Sequence, residues 1–189
     1  MRDAGREMRG PDPGDLTHFD PSGAARMVDV GDKAETLRTA EAMGRILISP
    51  RALEMVEAGT VGKGDVLGVA RLAGIMAAKR TPDFIPLCHN ITLSGVDVAF
   101  HADRSQPAIE VRCRVRCRGR TGAEMEALTG VALSCLTIYD MLKSVDRTME
   151  IEGIRLVRKS GGASGDFSVE EGKGHVSSET DADSGSDGK

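Results

Sequence analysis

In "AIEVRCRVRCRG" (108–119) apolar and charged positions alternate without a slip. Ile109, Val111, Cys113, Val115 and Cys117 share one parity; Glu110, Arg112, Arg114, Arg116 and Arg118 share the other. A period of two predicts a strand with one buried and one charged face. "ITLSGVDVAFHA" (91–102) also alternates but changes parity: Ile91 and Leu93 precede Gly95, whereas Val96, Val98 and Phe100 follow it on the opposite set. Glycine at the slip predicts a β-bulge. "GRILIS" (44–49) and "MEIEGIRLVRK" (149–159) read as further strands, and "ARMVDV" (25–30) as a short one before a charged loop, "GDKAETLRTA".

Three segments carry helical patterns. "SPRALEMVEAG" offers Ser49 as N-cap, Pro50 at the first position and Gly59 as the stop. "GDVLGVARLAGIMAAKR" (64–80) is longer, and its small residues suit close packing. Pro82 and Pro86 then enforce a loop, "TPDFIPLCHN". The longest helix is expected over 122–145, with Met125, Leu128, Ala132, Cys135, Tyr139 and Leu142 as its apolar stripe. From Gly44 onward, setting aside the short helix at 50–58, the order is β-α-β-β-α-β. That order predicts an α+β fold with a ferredoxin-like core, an antiparallel sheet carrying helices on one face.

Composition sharpens the boundaries. Residues 1–15 are rich in Gly, Pro and charge, and 168–189 are polar and acidic; both are expected to be disordered, which leaves one domain over 16–167. The tail has six acids against two lysines, so it accounts for the whole net charge of −4 and the body is formally neutral. No stretch resembles a signal peptide or a membrane span, so a cytoplasmic protein without membrane contact is expected. With no Trp, one Tyr and four Phe, the chain lacks the platforms that hold single-stranded nucleic acid, and no nucleic-acid partner is expected. Four cysteines lack CxxC spacing, and Cys113 and Cys117 lie roughly 13 Å apart along one strand face. Reduced thiols and no metal are the expectation.

Several stretches carry candidate chemistry, each with a plainer reading beside it. The arginine row presents planar donors suited to phosphate, or a solvated face with carboxylates nearby. "TVGKGDV" places Lys63 between glycines ahead of a helix, a position that favours an anion, or it is an ordinary loop charge. His89 in "FIPLCHN" is placed to shuttle a proton or to cap local backbone. In "TIYDMLKSVD", Asp140 and Lys143 stand one turn apart on a helix end that is otherwise apolar. Asp140 shares a face with Leu133 and Glu126, the latter about 21 Å away along the axis. An exposed pair contributes only a few tenths of a kcal/mol, whereas a partly buried one exchanges protons usefully. "RKSGGASGD" (158–166) is a backbone cradle for phosphate or a flexible linker.

Taken in order, "MVDVGDKAETLR", "GKGDV", "ARLAGIMAAKRTPDFIPLCH", "TGAEMEALT", "LTIYDMLKSVD" and "RKSGGASGDF" resemble the cyclic pyranopterin monophosphate synthase family of molybdenum cofactor biosynthesis, over about residues 16–167. The resemblance implies a ferredoxin-like α+β fold in a homo-hexamer, a trimer of dimers, with sites at subunit interfaces. It implies a nucleotide-derived small-molecule substrate, 3′,8-cyclo-7,8-dihydroguanosine triphosphate, released as cyclic pyranopterin monophosphate and pyrophosphate, with no cofactor. By motif, Asp140 matches the general acid/base, and Lys63 and Lys143 the essential lysines. Leu87, Cys88 and His89 match the substrate loop, Met125 and Glu126 a second substrate contact, and Lys33, Arg38, Arg116 and Lys159 the triphosphate-handling groups. Two positions depart from the pattern: Asn90 stands where many relatives carry Pro or His, and Ala163 where many carry Lys.

A nucleic-acid module built on the arginine strand would want aromatics on the same face, and it has none. A purely structural oligomerisation domain would leave the contexts of Lys63, His89 and Lys143 without a purpose.

Overall fold

The computed structural model describes residues 22–162 and 165–169; the expected disordered N-terminal segment, nearly all of the acidic tail, and Ala163 lie outside them. Nine elements follow in the order β1 (Thr36–Leu47), α1 (Pro50–Glu57), α2 (Val66–Lys79), α3 (Thr81–Phe84), β2 (Leu93–Asp103), β3 (Ala108–Gly119), α4 (Glu124–Leu142), β4 (Glu150–Ser160) and β5 (Phe167–Ser168). The strands form one sheet in the order β2-β3-β1-β4-β5, every neighbouring pair antiparallel. The fold is α+β.

The alternation in β3 sets the two faces of the sheet. Its odd-numbered residues 109–117 are buried with Ala40, Ala42 and Ile46 of β1 and with Val131, Cys135, Ile138 and Leu142 of α4. The even-numbered arginines point to the other face, where Arg112 and Arg114 meet Glu41 and Arg116 meets Asp97. The slip at Gly95 is a register shift between β2 and β3. All four cysteines are free thiols, three of them buried.

Three expectations need correction. Residues 25–30 form no strand beyond an isolated bridge at Ala25, and the sheet instead begins at Thr36, inside the expected charged loop. Charge misled there because a strand can carry it: Arg38 sits within β1 and its guanidinium donates to the Gly119 and Arg120 carbonyls. Pro82 opens a single helical turn, α3, within the expected loop, since proline is tolerated in a first turn. The stripe on α4 is also displaced. Met125 is exposed, while Glu126, Thr129, Ser134 and Ile138 are buried, because small and polar residues face α2 and the sheet.

The α2–α4 crossing explains those small residues. A Cβ at Gly74 would collide with Ser134 Oγ and lie 2.9 Å from the Gly130 carbonyl oxygen; one at Gly130 would lie 2.5 Å from Cys113 Sγ. Ser134 Oγ–H donates to the Ala70 carbonyl across the same seam (3.1 Å). Two backbones therefore touch with nothing between them. Gly74→Ala is expected to lower stability by about 1–3 kcal/mol, although alanine is the better helix former. Urea unfolding measures this, and an increase in stability would show that the helices can separate freely.

Asp146 ties the end of α4 to the start of α1. Its carboxylate accepts from the Ser49 N–H (2.6 Å) and from the Thr148 N–H and Oγ1–H (2.9 and 2.8 Å). Burial alone would raise its pKa, but the Thr148 and Ser49 donors outweigh burial and hold it below the ordinary value. A depressed carboxyl contributes stability above its ordinary pKa, and that contribution is lost as pH falls through the folded value. Asp146→Ala is expected to cost about 2 kcal/mol at neutral pH and little in strong acid. Equal losses at both pH values would refute the assignment.

Candidate active site

Lys63 reaches the end of α4 from a tight turn between α1 and α2. Val61 is buried and anchors the turn, Gly64 N–H closes it on the Val61 carbonyl (2.9 Å), and Gly64 takes φ +93°, which side chains disfavour. Lys63 Nζ then donates to the Asp140 carbonyl oxygen (2.7 Å) and lies 3.5 Å from its Oδ2. Lys143 Nζ donates to Asp140 Oδ1 (2.7 Å) from one turn further along. The carboxylate is thus bracketed by two ammonium groups from separate parts of the chain. All three side chains are open to solvent, Asp140 at 61%.

The Lys143 hydrogen bond, the Lys143 charge and then the Lys63 charge pull the Asp140 pKa below its ordinary value. At neutral pH it is a carboxylate with two lysine amines within reach for proton exchange. At the N-terminus of α2, Asp65 caps the helix, its Oδ1 accepting from Gly68 N–H (2.8 Å).

At the other end of α4 lies a basic cleft of about 560 Å³, lined by Lys33, Thr36, Arg38, Arg120, Thr121, Glu124 and Gly162 among others. Arg38 is fixed by donating to the carbonyls of Gly119 and Arg120 (3.0 and 3.2 Å), and Arg120 by donating to Gly31 (2.8 Å). Lys159 Nζ joins from β4, 3.3 Å from Glu124 Oε1. Lys33, Arg38 and Arg120 face one space, with Lys159 held beside it by Glu124, and planar and point cations of this kind suit phosphate oxygens. Arg120 was not among the expected residues. The signal was present: past Gly119 the arginine spacing resumes for one more residue in "RCRGRTG". Arg116 does not join them; it lies on the opposite sheet face, 2.8 Å from Asp97.

The segment after α3 lies near the same end. His89 Nε2 is 2.7 Å from the Val28 carbonyl, so residues 25–30, though not a strand, strap this segment down. Cys88 Sγ stands 3.7 Å from Glu126 Oε1, and burial first, then the Glu126 charge, pushes its thiol up to about 11. Leu87 is half-buried beside it. Met125 and Glu126 are neighbours with opposite fates, Met125 exposed and Glu126 buried. Along α4, 16 residues separate Glu124 from Asp140, so the basic cleft and the acid–amine cluster stand about 24 Å apart on one chain.

An exposed acid–amine cluster at one end of α4 and a cationic cleft at the other, on an α+β scaffold, is an arrangement suited to an enzyme. The chain belongs to the MoaC family, whose sequence model matches residues 27–162. It is 57% identical to the cyclic pyranopterin monophosphate synthase of Methylobacterium sp. (strain 4-46) over 155 residues, covering 82% of this chain and 97% of that one. The enzymes of the same name from Chloroflexus aggregans and Brucella ovis are each 56% identical over 156 residues, 82% of this chain and 94% of theirs.

Proposed function

We propose that this chain converts 3′,8-cyclo-7,8-dihydroguanosine 5′-triphosphate to cyclic pyranopterin monophosphate with release of pyrophosphate, an early step of molybdenum cofactor biosynthesis. Family membership and the names of its relatives support the reaction. The observation that carries the mechanism is Asp140, ionised between two ammonium groups. Opening the five-membered ring of the purine and building a pyrazine ring needs repeated proton transfers. Asp140 accepts protons, and Lys63 and Lys143 donate them at distances that allow direct exchange.

Cyclising the phosphate requires a sugar hydroxyl to attack the α-phosphorus while pyrophosphate leaves. Lys33, Arg38, Arg120 and Lys159 neutralise the charge that gathers on the phosphates. Leu87, Cys88, His89 and Met125 hold the ring system, with Glu126 supporting them from the buried side and His89 available for a further transfer.

A single chain leaves the two groups of residues too far apart to serve one reacting centre, and this favours a homo-hexamer, a trimer of dimers, with sites formed between copies. Val69, Leu72 and Met76 of α2 and Leu136 of α4 are large, apolar and exposed, as an uncovered interface would be. Arg116 reaches a triphosphate only in such an assembly, from a second copy. The β-α-β-β-α-β order with β1 between β3 and β4 supports the ferredoxin-like description of the core. Contrary to the expectation that no stretch has the length of a membrane span, α4 does by length and apolarity, but ten of its residues are buried in the fold, which supports a cytoplasmic enzyme without membrane contact.

Supplying the purified protein with the cyclised triphosphate, and following pyrophosphate together with the oxidised fluorescent pterin, tests the reading. Product is expected from the wild type, with kcat reduced about a hundredfold in Lys143→Ala. No product from folded wild-type protein would overturn it.

A further inference from the structure

Three carboxyl side chains are buried among the described residues, and their surroundings differ in kind. Glu41 has the guanidinium groups of Arg114 and Arg112. Asp146 has backbone and hydroxyl donors. Glu126, at 2% exposure, has no guanidinium or hydroxyl donor and, of backbone donors, only its own N–H. From other residues its Oε1 receives the Cys88 thiol, a weak donor at 3.7 Å, and its Oε2 has no hydrogen-bond partner. A carboxylate in that setting would carry an uncompensated charge in an apolar site.

The titratable and charged groups around it do not supply the missing compensation. Cys88 comes from the segment after α3, Cys117 from β3 and Glu124 from the helix that carries Glu126; two are neutral thiols and one is an acid. Arg38 from β1 acts on Cys117, and Lys159 from β4 is engaged by Glu124. Burial pushes the Glu126 pKa above its ordinary 4.5, only partly offset by its own backbone N–H and by the thiol.

We propose that Glu126 works un-ionised, as a positioning residue that holds the segment Leu87–His89 through the Cys88 thiol, and that ionising it releases that segment. The thiol proton is shared between Glu126 Oε1 and the His89 carbonyl, each 3.7 Å away, so one contact steers both Cys88 and the backbone of His89. The carboxyl proton then sits on Oε2, where no acceptor competes for it and no negative charge is buried. The part of the inference that concerns substrate rests on the function proposed above, because that function makes Leu87–His89 a substrate-holding segment.

The sign follows from linkage. A carboxyl whose pKa is raised by docking holds its proton in the docked state, so docking is intact at low pH. It weakens as pH climbs from 4.5 through the raised value, then levels off. Cys88 N–H donates to the Ile85 carbonyl (3.0 Å), which makes that amide a local reporter. Hydrogen-exchange protection at Cys88, corrected for intrinsic rates, is to be followed against pH in the full chain for wild type, Glu126→Gln and Cys88→Ala. In the wild type, protection falls about tenfold for each unit by which docking shifts the carboxyl. Glu126→Gln, which cannot ionise, gives a flat profile, and Cys88→Ala loosens residues 87–89 at every pH. KM for the cyclised triphosphate rises over the same pH range in the wild type, with a smaller change in kcat.

PH-independent protection in the wild type would overturn the proposal. So would a Glu126→Gln profile that matches the wild type, or a KM that ignores the release. If the protein turns over no substrate at any pH, the proposed function falls, while the exchange profiles still decide the state of Glu126.

Discussion

Asp140→Asn is expected to lower kcat about a thousandfold while leaving KM within a fewfold of the wild type. Asparagine keeps the size of the side chain and still offers Lys143 an acceptor, but it cannot take a proton. Asp140 is exposed at the end of α4 and makes no core contact, so stability should change by less than about 0.5 kcal/mol. The loss therefore reads chemistry and not folding. The wild type should also lose activity on the acid side, below the ordinary carboxylate range, because the two lysines hold the Asp140 pKa down. Pyrophosphate release at the wild-type rate from Asp140→Asn would remove Asp140 from the mechanism.

The second large effect is a recovery. Arg38→Ala empties the basic cleft of its best-anchored guanidinium, and Asp140→Asn disables the other end of α4. Each variant alone is expected to be nearly inactive. If each site takes the cleft from one copy and the acid–amine cluster from another, mixed and reassembled subunits contain some sites with both halves intact. Random pairing returns about a quarter of the wild-type activity. Two inactive variants that stay inactive after mixing, with subunit exchange shown by mass, would mean that one chain supplies the whole site.

Much of this arrangement is legible in the residues, and what is not has physical causes. β3 is readable to the residue because its buried and charged parities never mix, and the bulge of β2 is readable because a glycine marks it. The cap on α1 is readable because Ser49 and Pro50 allow little else; Ser49 Oγ accepts from Ala52 N–H as expected (3.3 Å). The start of β1 is not, since Glu35 and Arg38 look like a loop until β3 is placed alongside and Arg38 is seen to donate to the Gly119 and Arg120 carbonyls. The buried side of α4 was displaced because Gly130 and Ser134 are core residues by virtue of what touches them. Sequence spacing could pair Asp140 with Lys143, one turn away, but not with Lys63, 77 residues distant. The family resemblance groups Arg116 with Arg38, and within one copy strand parity sends their side chains to opposite faces.

The seam between α2 and α4 bears on how this protein can change over time. Because α4 carries Glu124 and Glu126 at one end and Asp140 at the other, it fixes the spacing between the cationic cleft and the acid–amine cluster. Inserting one residue would advance the far end by about 1.5 Å and turn it by roughly 100°, swinging Asp140 away from Lys63. The bare backbone contact at Gly74 and Gly130 prevents the helix from rotating to compensate. Point substitutions on its solvent side are open to drift, whereas a change of length within it is closed, and new variants of this enzyme should alter their loops and termini before they alter that helix.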